Sequence, residues 1–82
     1  MTYYNIKIHL TKSFPHVGDV IEYNEESYKL AGDFIRFSTI YGVGVQSTFG
    51  TIAIPIHNID YIHAQKVEDT IMPPTTAIYL TF

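Results

Sequence analysis

Residues 3–10 alternate without a break: Tyr4, Ile6, Ile8 and Leu10 fall on one side of an extended chain, Tyr3, Asn5, Lys7 and His9 on the other. Successive side chains of a strand point to opposite faces, so this period of two predicts a strand with one face in a core. Residue usage extends the inference. Twelve Ile and nine Thr stand against three Leu and four Ala, and 15% of residues are aromatic. β-Branched and aromatic side chains suit a pleated, half-buried surface, whereas Leu and Ala favour helix. The expected fold class is all-β.

The remaining elements follow from breakers and alternation. Residues 11–19 contain Ser13, Pro15 and Gly18 and predict a loop, with Phe14 folding back as a plug and 11–16 the one place for a short helix. A strand at 20–23, a polar turn at Asn24, Glu25, Glu26 and Ser27, and a second rise at 28–31 predict a hairpin. Gly32-Asp33 marks a reversal or a bulge. Residues 34–45 form the longest run, with Ile35, Phe37, Thr39 and Tyr41 on one face and Phe34, Arg36, Ser38 and Ile40 on the other. Both faces are apolar, which predicts a central or bent strand, and Gly42 and Gly44 permit sharp bending. After a turn at 46–50, residues 51–56 predict a strand with Ile52, Ile54 and Ile56 inward and Pro55 at an edge. His57-Asn58 breaks it, 59–67 resumes, 68–74 connects, and 76–82 is a final strand. Short strands with closely spaced turns predict a small, strongly bent five-stranded barrel, one domain spanning residues 1–82.

A chain of 82 residues buries only about 60% of the surface its unfolded form exposes. Disulfides, a metal or oligomerisation usually make up the shortfall. The absence of cysteine removes disulfides and every thiolate zinc site, so self-association is the expected staple. The opening residues Met1 to Lys7 show no basic stretch followed by an apolar one, and no apolar run approaches the roughly 20 residues of a spanning helix. A cytoplasmic protein with no membrane partner is expected. Net charge is −3, and the basic residues Lys7, Lys12, Lys29, Arg36 and Lys66 are dispersed. Sequence-independent nucleic-acid affinity comes from phosphate neutralisation, so the overall balance disfavours a nucleic-acid clamp and leaves only a local patch.

Enzyme chemistry is not expected. Gly42-Val43-Gly44 lacks the third glycine and following helix of a dinucleotide fingerprint. His57, Asp60 and His63 form a candidate metal set, but residues six apart on a regular strand lie about 20 Å apart. No Gly-x-Ser-x-Gly elbow or His-Glu-x-x-His pair occurs. No cofactor is expected. Tyr3, Tyr23, Tyr28, Tyr41, Phe34 and Phe37 are candidates for stacking on bases, weighed against core and interface roles.

The segment Thr51-Ile52-Ala53-Ile54-Pro55-Ile56-His57-Asn58-Ile59-Asp60-Tyr61-Ile62 resembles the second signature block of Sm and LSm proteins. There a hydrophobic strand runs into a short turn, and apolar residues three apart open the last strand; Ile59 and Ile62 keep that spacing after Asn58. The resemblance spans residues 17–67. It departs at Pro55-Ile56, where the family carries an Arg-Gly pair, so the guanidinium that packs against RNA is missing. Asp33 is the nearest counterpart of the acidic and Asn residues of the first block. The resemblance implies an Sm-like, SH3-like barrel, a homo-oligomeric ring of about five to seven subunits, and binding of RNA or single-stranded nucleic acid. RNA would meet Asp33, His57 and Asn58, with Arg36 or Lys66 on phosphate. Divergent small barrels of this kind also occur in phage genomes. The alternative is a protein-interaction or structural module, a phage or accessory subunit. Ring closure is expected through the β-prone edges at 59–67 or 76–82.

Overall fold

The computed structural model describes residues 1–48, 50–69, 71–73 and 77–79. In chain order the elements are β1 (Thr2–Phe14), β2 (Gly18–Glu25), α1 (Tyr28–Tyr41), β3 (Val43–Ser47), β4 (Gly50–Ile54), a 3-10 turn (Ile56–Asn58), β5 (Ile59–Glu68) and β6 (Ala77–Tyr79). The protein is mostly β. The strands form two antiparallel three-stranded sheets, β2-β1-β5 and β4-β3-β6, in place of the expected single closed barrel of five strands.

The alternation in β1 does what its period predicts. Ile6 pairs with Tyr23 of β2 and Ala64 of β5, and Ile8 with Ile21 and Ile62, so these residues share one face. Ile6 and Ile8 are wholly buried and Leu10 nearly so. Val43, Val45 and Ile54 of the second sheet and Ala31 and Phe34 of α1 close over that inner face to complete the core.

Two local expectations are corrected. Residues 11–13 continue β1, and no short helix forms at 11–16. The chain reverses after Phe14, where the Val17 N–H donates to the Phe14 carbonyl at 3.2 Å and His16 takes a φ of 63°. Phe14 does pack against the core.

The larger correction is α1. Residues 28–31 do not close a hairpin, Gly32-Asp33 is no reversal, and 34–41 is helix instead of strand. The apolar groups of this segment fit both periods: Ala31, Phe34 and Ile35 sit at i, i+3 and i+4, with the small Ser38 at i+7. Its β-branched and aromatic residues favour helix only weakly, so packing decides. Phe34 is fully buried and stacks on Tyr23, ring centroids 3.9 Å apart and planes 5° from parallel. Complete burial of such a side chain is worth roughly 1.5–3 kcal/mol. The Ser27 hydroxyl caps the helix by accepting from the Leu30 N–H at 3.3 Å, and the buried Ser38 hydroxyl donates to the Phe34 carbonyl at 2.7 Å. Gly42 ends the helix: its N–H donates to the Ser38 carbonyl, and its φ of 90° turns the chain into β3. A Cβ there would collide with the Ile54 carbonyl oxygen.

Beyond α1 the expected order returns as the β3–β4 hairpin, with Ile54 buried and Ile52 half-buried. Ile56, expected inward, stands half-exposed in the 3-10 turn. The final strand is seen as β6; residues 76 and 80–82 lie outside the described residues. Between β5 and β6 the chain is clasped to the end of the first sheet. The Met1 amine donates to the Asp69 carbonyl at 2.6 Å, the Asp69 N–H returns to the Met1 carbonyl at 2.9 Å, and Asn24 donates to the Pro73 carbonyl at 3.4 Å. Asn5 in turn donates to the Asn24 side-chain oxygen at 2.8 Å, so the buried Asn24 is hydrogen-bonded on both sides. Among the described residues, no helix is long and apolar enough to cross a membrane.

Candidate nucleic-acid interface

With α1 and the second sheet on the inner face, the first sheet turns its other face outward. The alternation of β1 puts Tyr3, Asn5, Lys7 and His9 there. Their cross-strand neighbours are Val20, Glu22 and Asn24 on β2 and Tyr61, His63, Gln65 and Val67 on β5. Tyr3 and Asn24 are buried at the clasped end. Towards the other end the face is open and carries aromatic, basic, acidic and amide groups.

Its centre is a stacked pair. The rings of His9 and Tyr61 lie 4.2 Å apart at 12°, and Tyr61 is 55% exposed. Lys7, two residues back along β1 from His9, stands opposite His63 and forms a loose ion pair with Glu22 at 3.9 Å. Beyond His9, the Thr11 hydroxyl donates to the Asn58 side-chain oxygen at 3.3 Å, and the amide of Asn58 lies 3.5 Å from the His57 ring. Three histidines, one lysine with its ion-paired Glu22, one exposed tyrosine and several amides thus share one side of the molecule.

A bulge in β5 creates this arrangement. His9 pairs with Tyr61 and Leu10 with Ile59, so Asp60 has no partner on β1. The extra residue keeps both Ile59 and Ile62 inward while Tyr61 stays outward, a change of aim typical of bulges.

The structure separates the five residues expected to meet RNA. His57 and Asn58 come together at the end of the outer face. Asp33 and Arg36 come together elsewhere, on α1, where Asp33 pairs with Lys29 at 3.1 Å and Arg36 at 3.6 Å. Arg36 also lies over the Phe37 ring. Lys66 stands apart on β5, opposite Tyr4 on the inner-face row, eight residues or roughly 26 Å of strand from Asn58. Of the aromatics considered for stacking, Phe34, Tyr23 and Tyr3 belong to the interior or pack against it. Lys7, His9, Tyr61 and His63 were not among the residues expected to meet RNA. The odd-numbered row of β1 was the available signal for Lys7 and His9; nothing local identifies their partners on β5, more than fifty residues away.

No group of three or more His, Asp or Glu residues among the described ones is placed to hold a metal ion, His57, Asp60 and His63 included. Beside β5, Ile35 and Thr39 of α1, Ile56 of the 3-10 turn, and Ile59, Asp60, Tyr61 and Ile62 of β5 line an open groove of about 400 Å³. No family model, curated protein or solved structure matches the chain.

Proposed function

We propose that this is a non-enzymatic protein whose outer sheet face binds RNA or single-stranded nucleic acid. The observation that carries the reading is the His9–Tyr61 stack, with Tyr61 exposed and His9 half-buried, beside Lys7 and His63. Each ring has one face turned away from its partner, and bases stack on such faces with little regard to sequence. Lys7 supplies a cation for phosphate, and Thr11, Asn58, Gln65 and His57 supply donors and acceptors for base edges. The site reuses two of the residues to which the Sm resemblance pointed, His57 and Asn58, and replaces the others. With one lysine on the face and a net charge of −3, few phosphates are neutralised, so binding is weak and only shallowly salt-dependent. About one or two phosphate contacts give a log–log slope near −0.7 to −1.4.

Fluorescence anisotropy with labelled U-rich and A-rich oligonucleotides at low salt tests this. Saturable binding with a shallow salt slope is expected. No binding at about 100 μM protein overturns it, since even non-specific affinity is usually tighter.

The second reading, a protein-interaction module, is favoured by the apolar groove beside β5. Assembly belongs to either reading. The ring of about five to seven copies implied by the resemblance would join the outer edge of β4 to that of β5 in the next copy, and so would leave no β5 edge for any other pairing. Both edges lack a strand partner among the described residues. β4 has five residues to the ten of β5, and Pro55 directly follows it without an N–H to donate.

A further inference from the structure

We propose that a second copy of this chain pairs antiparallel along the outer edge of β5, about a twofold axis at His63. β5 has β1 on one side and, among the described residues, no strand on the other. Its ten residues run roughly 33 Å, and a free edge of that length is a template for another strand.

Symmetry limits the registers. A twofold axis that joins two β5 strands antiparallel continues the sheet, so opposed residues must belong to the same face. The axis then passes through a residue, not between two. Centred on His63, the pairing sets Tyr61 opposite Gln65 of the second copy, Ile62 opposite Ala64 and, at the bulge, Asp60 opposite Lys66, each twice. Centred on Ala64, it would set Asp60 against Glu68, two like charges. Centred on Ile62, it would leave Asp60 against Ala64 and Lys66 against Asn58. Opposite charges across a strand pair stabilise it and like charges do the reverse, so the His63 register is selected.

Asp60 and Lys66 are suited to this use. Lys7, Lys12, Lys29 and Arg36 each have an acidic or aromatic partner within the chain. Lys66 has none among the described residues, and neither does Asp60. Asp60 also lies on the rim of the apolar groove. A lysine reaching it from the second copy lays its methylene stem towards Ile59 and Ile62 and keeps its ammonium at the carboxylate. The pairing therefore covers the strand edge, the groove and two unpaired charges together. It also joins two outer faces into one six-stranded surface with a His9–Tyr61 stack in each half.

The inference does not depend on nucleic-acid binding, and its test contains none. Sedimentation equilibrium of the full chain at pH 7.5 is expected to give a dimer, twice the 9.4 kDa of one chain. Asp60→Lys and Lys66→Asp, both exposed positions, are each expected to weaken dimerisation at least tenfold with an unchanged circular dichroism spectrum. The double charge swap is expected to restore it to within about threefold. A wild-type monomer at about 100 μM, a larger ring, single swaps that leave the dimer unchanged, or a double swap no tighter than the singles each overturns the proposal.

Discussion

The ring of Tyr61 on β5 lies nearly flat against that of His9 on β1, 4.2 Å away, because a single extra residue, Asp60, sits between the pairs Tyr61–His9 and Ile59–Leu10. Without the bulge, a strand with Ile59 inward would also put Tyr61 inward and Ile62 outward. The outer face would then lose the exposed ring of Tyr61. The chemistry of this face therefore rests on one backbone irregularity.

Tyr61→Ala is expected to weaken binding of a short single-stranded oligonucleotide by about 5- to 150-fold, the loss of 1–3 kcal/mol of base stacking. His9→Ala, away from the strand edge, is expected to act in the same direction, and Tyr61→Phe to change affinity by less than about twofold. Anisotropy titrations of the three variants check this. Equal affinities for Tyr61→Ala and wild type would remove the stack from the site.

Phe34→Ala is expected to cost about 3–5 kcal/mol of folding stability, because the side chain is wholly buried between α1 and Tyr23 and its loss leaves a cavity. Tyr28→Ala, one turn and a half earlier on the same helix and 79% exposed, is expected to cost less than about 1 kcal/mol. Urea denaturation measures both. Similar losses at the two positions would mean that the helix does not pack as described.

Two glycines are expected to respond to alanine with opposite signs. Gly42→Ala places a Cβ against the Ile54 carbonyl at a positive φ and is expected to destabilise by at least about 2 kcal/mol. Gly32 lies within α1 with open space where a Cβ would go. Gly32→Ala is expected to stabilise by about 0.5–1 kcal/mol. A thermal midpoint that falls for the first and rises for the second is the expected result; a fall for Gly32→Ala would contradict a helix through that position.

How much could be read beforehand varied with the range of the forces involved. The two faces of β1 were legible because period-two alternation is a local property of an extended chain, and Tyr4, Ile6, Ile8 and Leu10 satisfy no competing period. β5 and the turn at His57-Asn58 were legible for the same reason. Residues 28–41 were not. Their apolar groups satisfy periods of 2 and 3.6 alike, their intrinsic preferences lean towards strand, and only the burial of Phe34 and Ala31 against β1 and β2 decides for helix.

The candidate site shows the same division. That Lys7 and His9 share a polar row follows from their own positions in the chain. That Tyr61 and His63 stand beside them depends on pairing across more than fifty residues and on the bulge at Asp60, which shifts the register by one. In the same way, Asp33 and Arg36 became an ion pair on a helix surface because their segment coiled. Strand pairing and helix packing are set by the fit of surfaces brought together from distant parts of the chain. Alternation is set by the geometry of neighbouring peptide units, which is why it alone was visible in the order of the residues.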